Sequence, residues 1–491
     1  MRTIRQAITM IMLLAVFCAA GCAHYPENPP LTSINPHAGY RYSVVREDPS
    51  GDRPFVLLAF SGGGTRAAAL SFGLMEELRT VEYSKPGGVK RKLLDDVEII
   101  SSVSGGSFVS AYYALFPEDF FTGFPDRFLY VNVEGALLGR LVNPYNWFRL
   151  ASPDFSRIDI ADEYYNETFF GRKTFAELVN RRRGSAPFLV LNATDIGITH
   201  RFEFTQDQFD LLCSDLSGVS VSRAVAASSD FPVAFTPMTM DIYKKDCGPL
   251  PAWIDPAMKD RGLNRRKTDA LAAGSYRTPD RLHAHLLDGG ISDNLGLRGP
   301  YQAVTTTDSA WSILKQINRE HLKQLMVIAV NAKTTKHSEW DKKSKPPGIM
   351  EVLGVIVNGP MDDVSFDSVE NTDGNFAYMK QLSDTVDACN DLLKGCPGIK
   401  PVTNPITTTY TFAELSFDRI QDPRLRRCLQ ELPTSLYLPR ETVDLLRVAA
   451  AQLLMTSESF VKGMQGIDPA WMPRTVVIDS KLVDTVCGVQ Q

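Results

Sequence analysis

The sequence predicts an α/β fold with a mostly parallel central sheet that is flanked by helices. Residues 55–60 form a continuous apolar run, which leads through a glycine-rich turn into a helical pattern over 67–79. A second predicted strand over 97–102 leads through a Ser/Gly turn into a helix that ends near residue 116. Uniformly apolar strands are typical of parallel sheets, and consecutive strand–turn–helix units favour helices on both faces.

Later segments extend the predicted sheet. Three further apolar runs have the length of a buried strand. They cover 187–192, 285–288 and 325–330. The region 334–440 predicts loops with scattered helices, whereas 442–454 has the periodicity of an amphipathic helix.

Composition indicates a large globular body. The chain has 491 residues, of which 44% are hydrophobic and 22% are charged, so it can bury a sizeable core. The formal net charge of −5 favours no nucleic-acid partner, and we predict none.

The N-terminus has the pattern of an export signal. Two arginines precede a short apolar stretch over 7–20, which ends in Ala-Ala-Gly-Cys at Cys22. This ending resembles a bacterial lipobox, so we expect a palmitate-bearing membrane anchor at Cys22 in the cell envelope. Ala23 stands where Asp would retain a bacterial lipoprotein in the inner membrane, which favours the outer membrane. A plain signal peptide with an incidental cysteine is the alternative.

Six cysteines remain beyond the signal and Cys22, which permits three disulfides in an exported chain. They are Cys213, Cys247, Cys389, Cys396, Cys428 and Cys487. The short loop makes Cys389 with Cys396 the simplest pair, and the sequence does not choose among the others. No Cys/His spacing indicates zinc, so we expect no structural metal.

The turn SGGGTR over 61–66 is the first candidate site. Three successive glycines between a strand and a helix let the N–H groups of Gly62, Gly63 and Gly64 converge at a helix N-terminus. Such a turn can hold a phosphate or a developing oxyanion. It lacks the Gly-Lys-Ser/Thr of a P-loop, and no acidic-tipped strand follows it as a dinucleotide site requires.

The segment SVSGGS over 102–107 has the features of a nucleophile elbow centred on Ser104. It stands at a predicted strand-to-helix turn, and the residues two before and two after Ser104 are small, as the strained turn requires. Gly105 and Gly106 follow the serine, whereas Ser102 occupies the place of the usual first glycine. A Ser/Gly-rich loop without chemistry is the alternative.

A serine hydroxyl needs a base, and the sequence offers Asp288 rather than a histidine. The final 154 residues contain no histidine, and His283 and His285 alternate on a short strand as packing residues do. Asp288 ends that strand and precedes Gly289 and Gly290, so its carboxylate can approach another turn closely. Asp-Gly-Gly alone also makes an ordinary turn.

Together these segments resemble the patatin-like phospholipases, including the catalytic module of the cytosolic phospholipase A2 group. The family's glycine-rich turn, elbow and late Asp-Gly-Gly/Ala correspond in order to SGGGTRA at 61–67, SVSGGS at 102–107 and DGGISDN at 288–294. Weaker matches are NATDIGITHRFEF at 192–204 and AASSDFP at 226–232. Ala67, where patatins often carry Gly, favours the phospholipase A2-like branch.

The resemblance implies a patatin-like three-layer fold and a serine acyl hydrolase that acts on phospholipid or other lipid esters without a cofactor. Asp288 would take the proton of Ser104, which attacks the ester carbonyl to form an acyl-enzyme. The N–H groups of Gly63 and Gly64, joined by Gly62 or Gly105, would hold the oxyanion.

Arg66 would orient the glycine turn or meet a lipid phosphate, and a salt bridge at the helix start is the alternative. The glycines at 105, 106, 289 and 290 would support the close approach of the turns. A small-ester carboxylesterase and a lipid-binding lipoprotein without turnover are the competing functions.

On this basis we divide the chain into a signal peptide, a tether, a catalytic domain with two additions, and a C-terminal extension packed on it. The ranges are 1–21 for the signal, 22–53 for the tether, 54–332 for the patatin-like domain, about 116–186 for its cap or lid, about 239–284 for its insertion, and 333–491 for the extension.

Two surface features are ambiguous. Aromatic residues over 116–148 predict either an acyl-chain surface in the lid or the core of the cap helices. A basic cluster over 259–267 would contact anionic headgroups or form a solvated loop.

Overall fold

The computed structural model describes residues 23–46, 53–84, 88–305, 322–335, 342, 344–394, 396 and 399–488, apart from 182–183, 185, 233, 244–245, 263 and 405. The predicted signal peptide and Cys22 therefore lie outside the described residues, as do His321 and His337.

The described residues form an eight-stranded central sheet and a two-stranded ribbon. The strands are β1 (Phe55–Phe60), β2 (Glu82–Tyr83), β3 (Arg91–Lys92), β4 (Val97–Val103), β5 (Phe188–Asp195), β6 (His200–Glu203), β7 (Met238–Asp241), β8 (His283–Asp288), β9 (Gln324–Asn331) and β10 (Thr409–Ser416).

The central sheet runs in the order β10-β9-β1-β4-β5-β8-β7, and β6 pairs with β5 outside this path. The first five strands are parallel to their neighbours, whereas β6 and β8 are antiparallel to β5, and β7 is antiparallel to β8. Every residue of β1 and β4 is buried, as the uniformly apolar sequence of β1 predicts, and β4 buries Glu98, Ser101 and Ser102 as well. The predicted α/β fold with a mostly parallel sheet is confirmed.

Helices surround this sheet. They are α1 (Tyr42–Val45), α2 (Gly64–Thr80), α3 (Gly105–Leu115), α4 (Pro117–Phe124), α5 (Val133–Leu141), α6 (Pro144–Arg149), α7 (Arg157–Tyr165), α8 (Phe175–Val179), α9 (Gln206–Leu211), α10 (Val221–Ser228), α11 (Ile254–Met258), α12 (Arg265–Ser275), α13 (Gly290–Asp293), α14 (Arg298–Thr305), α15 (Ile349–Leu393), α16 (Pro423–Gln430), α17 (Arg440–Met455), α18 (Glu458–Ile467) and α19 (Ser480–Cys487). Among the described residues, no helix combines the length and apolarity needed to cross a bilayer.

The N-terminal segment 23–46 packs on the domain, although the sequence suggested a tether there. Tyr40 and Tyr42 are buried in the main core. The buried Arg41 guanidinium contacts the carboxylates of Asp207 (2.5 Å) and Asp210 (2.6 Å). A segment with buried aromatic rings and a buried ion pair is part of the fold, because flexible linkers expose such groups.

The C-terminal region is built into the same sheet. β10 pairs in parallel with β9 along its whole length, and α17 packs against α2. Where the sequence predicted loops with scattered helices, α15 runs through 45 residues and carries Pro360 in its interior. Its glycines and this proline are ordinary helix breakers, which explains why its sequence pattern indicated loops.

Two disulfides join Cys213 to Cys247 and Cys428 to Cys487. Cys389 and Cys396 are free and exposed, so the simplest pairing predicted from the sequence is wrong. Cys389 lies on α15, and a short separation along the chain does not turn two side chains toward each other at a helix end.

Candidate active site

The register of three strands brings Ser104 and Asp288 together. Val103 at the end of β4 pairs with Asn192 on β5, and the next residue of β5, Ala193, pairs with Asp288 on β8. Ser104 and Asp288 therefore stand at the same level of the sheet on either side of β5. Adjacent strands lie about 4.8 Å apart, so the two side chains can meet across one strand.

Ser104 occupies a strained turn between β4 and α3. Its φ of 49° and ψ of −119° are rare for a residue with a side chain, and it is the N-cap of α3. This conformation points the side chain out of the turn, as a nucleophile elbow does. Ser104 is partly exposed, whereas its neighbours on either side are buried.

Close contacts between glycines bring the elbow against the glycine turn. A Cβ placed on Gly105 would lie 2.1 Å from the carbonyl oxygen of Gly64, and one on Gly62 would lie 3.2 Å from the Cβ of Ser104. Only glycine permits the first approach. The turn predicted for the oxyanion therefore lies directly beside the predicted nucleophile.

Ser228, at the end of α10, hydrogen-bonds to both the elbow at Ser104 and the turn after Asp288. Its hydroxyl accepts the backbone N–H of Ser104 at 3.0 Å and donates to the carbonyl of Asn192 at 2.6 Å. Its own carbonyl accepts the N–H of Gly289 at 3.2 Å. Ser228 lies in one of the weakly matching segments, and no local pattern indicated a role for it, because its partners lie 36 to 124 residues away along the chain.

The Asp288 carboxylate is buried and hydrogen-bonded. It accepts the N–H of Gly290 at 2.7 Å, and the Ser104 hydroxyl lies beside it. Burial raises the pKa of Asp288 to about 6, whereas the Gly290 hydrogen bond and the nearby Ser104 hydroxyl oppose the shift because they favour the charged form. A carboxylate with this pKa is a stronger base than an exposed aspartate and is still ionised at neutral pH.

A second buried carboxyl, Asp230, lies close to Asp288. The backbone N–H of Asp288 donates to the carbonyl of Asp230 at 2.9 Å. Burial and the charge of Asp288 raise the pKa of Asp230 well above its ordinary value. Because two nearby carboxylates cannot both ionise easily, this environment leaves the charge on Asp288.

The three glycines of the turn differ in their hydrogen bonds. The N–H of Gly62 donates to the carbonyl of Asn294 at 2.9 Å, so the prediction that Gly62 serves as an oxyanion donor does not fit the structure. The N–H groups of Gly63, Gly64 and Gly105 have no partner among the residues that the structure describes. Gly63 is the N-cap of α2, where unpaired N–H groups and the helix dipole favour an anion.

Arg66 faces away from Ser104. It is buried and donates to the carbonyls of Ala332 and Leu432, both at 2.9 Å, and to the hydroxyl of Thr434 at 3.1 Å. Burial lowers its pKa to about 10. Of the roles considered for Arg66, orienting the turn agrees with these contacts, whereas a lipid phosphate could not reach a guanidinium enclosed in this way.

The C-terminal region also reaches the glycine turn. The N–H of Thr65 donates to the carbonyl of Ser435 at 2.9 Å, and a Cβ on Gly64 would lie 2.3 Å from the same oxygen. On the other side, the methyl group of Met361 on α15 lies 2.6 Å from where a Cβ on Gly290 would stand. No sequence signal pointed to either residue.

No imidazole stands between Ser104 and Asp288 among the histidines that the structure describes. His283 and His285 alternate with buried residues on β8 and contact Asp241 and Thr239 instead. Gly106 packs against β1, and a Cβ on Gly289 would lie 2.3 Å from the carbonyl oxygen of Asn192.

The structure divides the aromatic stretch 116–148 into two parts. Phe120, Phe124 and Phe128 are buried and stack on one another and on Phe108, so the first part is cap core. The second part, on α5 and α6, buries Val133 and Leu137 but exposes Tyr145, Trp147 and Phe148. In the basic cluster, Lys267 donates to the backbone of Asp260 at the surface.

No group of three or more potential metal ligands is found in the described part of the chain. The residues around Ser104 supply hydroxyls, carboxyls and backbone N–H groups. The chemistry that such groups perform is nucleophilic acyl transfer with a general base and an oxyanion site.

The fold and the site define an α/β protein in which a strained serine turn stands beside a glycine turn and a buried carboxylate. The sequence profile of the patatin-like phospholipases matches residues 58–301, which contain the elbow, the glycine turn and Asp288. The chain belongs to the patatin-like phospholipase family.

Similarity to solved structures is low. Human GIVD cytosolic phospholipase A2 aligns at 12% identity with a TM-score of 0.33, over 56% of this chain and 45% of its own. VipD from Legionella pneumophila aligns at 11% identity with a TM-score of 0.30, over 90% of this chain and 71% of its own. This chain thus spans less than half of the human enzyme. No curated protein matches the sequence.

Proposed function

We propose that the protein hydrolyses acyl esters of phospholipids or lysophospholipids, with Ser104 as the nucleophile and Asp288 as the general base. The strand register that brings the strained Ser104 turn beside the buried Asp288 carboxylate carries this proposal. The family assignment supports a lipid substrate.

In the first half-reaction, the Ser104 oxygen attacks the ester carbonyl and its proton passes to Asp288. The N–H groups of Gly63 and Gly64 stabilise the tetrahedral oxyanion, and that of Gly105 lies close enough to assist. The carbon–oxygen bond to the leaving alcohol then breaks, and the alcohol takes the proton from Asp288.

In the second half-reaction, water attacks the acyl-enzyme and gives its proton to Asp288. The second tetrahedral intermediate collapses, the carboxylic acid leaves, and Ser104 regains its proton from Asp288. One carboxylate thus serves as base and acid in turn, which suits a pKa close to the working pH.

A fluorogenic acyl ester tests this mechanism. Ser104→Ala and Asp288→Asn should each lower kcat/KM by on the order of 10³-fold or more. Ser229→Ala and Asp230→Asn change a neighbouring hydroxyl and carboxyl, and they should remain within about threefold of wild type. A fluorophosphonate should label Ser104 alone. Wild-type turnover in either dyad variant would exclude the dyad.

We also propose that Cys22 carries a lipid anchor in the cell envelope, on the outer membrane. The Ala-Ala-Gly-Cys ending of the signal and Ala23 support this. Metabolic labelling with palmitate should mark wild type and Cys389→Ser, a variant of a free exposed cysteine. Label that persists in Cys22→Ser would exclude Cys22 as the acylated residue.

A further inference from the structure

The surface of α5 and α6 is unusually apolar for an exposed pair of helices. Large side chains there are between 40% and 66% exposed, and we refer to them as the cap patch. The cap patch consists of Leu138, Val142, Tyr145, Trp147 and Phe148. Five large apolar residues within eleven positions are not the scattered exposure that is normal on a protein surface.

Hydrogen bonds fix the geometry of the cap patch. The indole N–H of Trp147 donates to the carbonyl of Leu141 at 2.8 Å, so the ring is anchored at its polar atom while its body faces outward. The buried Asn146 donates to the carbonyl of Arg140 at 2.9 Å and ties α6 to the end of α5. The patch is therefore a preformed surface on a rigid frame.

The cap patch begins beside the candidate active site. Glu134 in the first turn of α5 accepts the hydroxyl of Ser435 at 2.5 Å, and the carbonyl of Ser435 accepts the N–H of Thr65 in the glycine turn. Leu138 lies one turn further along α5, about 6 Å in axial rise. The start of α5 is therefore joined through Ser435 to the glycine turn beside Ser104.

The cap patch also adjoins the N-terminal end of the described chain. The hydroxyl of Ser152, three residues after α6, donates to the carbonyl of Ala23 at 2.6 Å. The N–H of Tyr25 donates to the carbonyl of Asp154 at 2.7 Å. Because residue 23 is held next to the patch, a lipid on Cys22 would enter a membrane at the same face.

We infer that the cap patch is the surface through which the protein docks on a lipid bilayer, with the active-site opening turned toward that bilayer. Trp and Tyr with a polar atom bonded and an apolar body exposed are enriched at the membrane interface. The patch also adjoins both the proposed anchor and the proposed site. This inference rests on the proposed lipid substrate. It identifies the cap patch as the surface that contacts the bilayer containing this substrate.

Vesicle binding tests the docking inference independently of ester hydrolysis. Every variant carries Cys22→Ser and Ser104→Ala in the full chain, so acylation and turnover contribute nothing. Partitioning onto phosphatidylcholine vesicles that contain phosphatidylglycerol is measured by co-sedimentation. The triple change Val142→Ser, Tyr145→Ser and Trp147→Ser should lower the partition coefficient by about tenfold or more, because it removes buried apolar area at the interface.

Met472→Ser with Val477→Ser is the matched control. Both residues are more exposed than the cap patch and line pockets beside the C-terminal end of α2, about 25 Å along this helix from Gly64. This control should bind vesicles like the parent. Equal binding by the triple variant, or an equal loss in the control, would overturn the inference.

Fluorescence gives a second readout. Addition of vesicles should shift the tryptophan emission to the blue, and the shift should be largely lost in Trp147→Phe, which keeps an aromatic ring and most of the binding. A full shift in Trp147→Phe would contradict membrane contact at this residue. The parent protein could instead fail to bind vesicles and dimerise in a concentration-dependent way that the triple change abolishes. That result would show that a second copy of the chain, and not a bilayer, covers the cap patch.

The active-site proposal is judged separately by hydrolysis of a short soluble ester with Ser104 and Cys22 restored. The triple variant should hydrolyse this ester like wild type but hydrolyse vesicle lipid several-fold more slowly. Loss of both activities to the same extent would also overturn the docking inference. Absence of ester hydrolysis in wild type would refute the proposed function and leave the binding result standing.

Discussion

Ser104 and Asp288 each occupy a position that costs stability. Ser104 holds a backbone conformation with φ of 49°, a strain of roughly 1–3 kcal/mol for a residue with a side chain. Asp288 is a carboxylate in a buried site, where its charge is poorly solvated. The N–H of Gly290 donates to the Asp288 carboxylate, and the Ser228 hydroxyl accepts the backbone N–H of Ser104, so both groups are held in place.

The raised pKa of Asp288 predicts a pH dependence. The base must be ionised, so kcat/KM for a soluble ester should be constant above neutral pH and fall tenfold per pH unit below about pH 6. Initial rates over a pH series at low substrate concentration measure this. A profile that stays flat down to about pH 4 would show that Asp288 is not the base.

The same shift predicts that Asp288→Asn stabilises the fold. The pKa is about 6 in the folded protein and 3.8 in the unfolded chain, so the folded state carries the full cost of the buried charge above pH 6. At pH 8 the variant should gain up to about 3 kcal/mol of unfolding free energy. The gain should shrink as pH falls from 6 to 4, where folded wild type is protonated. Urea unfolding of wild type and Asp288→Asn at pH 8 and at pH 4 measures this gain in unfolding free energy.

At the scale of elements, the site depends on how closely two helix N-termini approach each other. α2 and α3 begin at the glycine turn and at the elbow, and the helices pack against each other behind these turns. Gly64 and Gly105 are the point of contact, and both N-termini direct unpaired N–H groups toward the region of Ser104.

Gly105→Ala should separate these two helix ends. The added methyl group would lie 2.1 Å from a backbone oxygen, which cannot move like a flexible side chain. We expect a loss of about 10²-fold in kcat/KM with a smaller loss of stability, because the oxyanion donors move away from Ser104. Gly374→Ala on α15, where a methyl group meets open space, is the control and should be neutral or slightly stabilising. Full activity of Gly105→Ala would show that this contact is dispensable.

The sequence predicts the structure best at the site residues, which can be recognised from local motifs and from their order along the chain. The elbow, the glycine turn and Asp288 each follow a strand, so local patterns found them, and the register of β4, β5 and β8 then brought Ser104 and Asp288 together. The hydrogen-bond partners of these residues could not be predicted from local motifs. Whether Gly62 donates to an oxyanion or to Asn294 depends on a loop more than 200 residues later.

The other differences between the sequence-based predictions and the structure arise from contacts between residues that are far apart in the sequence. Arg66 has its partners at Ala332, Leu432 and Thr434, and nothing near Arg66 in the sequence indicates them. α15 was missed because Pro360 and several glycines obscure its pattern. The disulfides join cysteines that are 34 and 59 residues apart, and such pairings depend on the fold rather than on loop length.

At the scale of the whole molecule, the C-terminal region is part of the site's frame. It supplies β10, the carbonyl of Ser435 beside Gly64, and α17 against α2. The disulfide between Cys428 and Cys487 joins α16 to α19 and closes a loop of 59 residues around α17 and α18. This link stabilises the part of the molecule that supports the glycine turn from behind.

Removal of this disulfide should therefore lower global stability. Cys428→Ser with Cys487→Ser should lose about 2–4 kcal/mol of unfolding free energy in a non-reducing urea titration. Cys389→Ser with Cys396→Ser changes two free cysteines and should remain within about 0.5 kcal/mol of wild type. Equal stability of both double variants would show that the Cys428–Cys487 bond is absent or without effect.

The central place of β1 has a consequence for how the protein is made. β1 lies between β4 and β9, and about 260 residues of chain separate β1 from β9. During synthesis, one edge of the first strand stays unpaired until most of the polypeptide has emerged. A chain broken off before β9 would thus carry an open, apolar strand edge, which is a template for aggregation. Aggregation of the unfinished chain through this edge is therefore favoured until β9 is available to pair with β1.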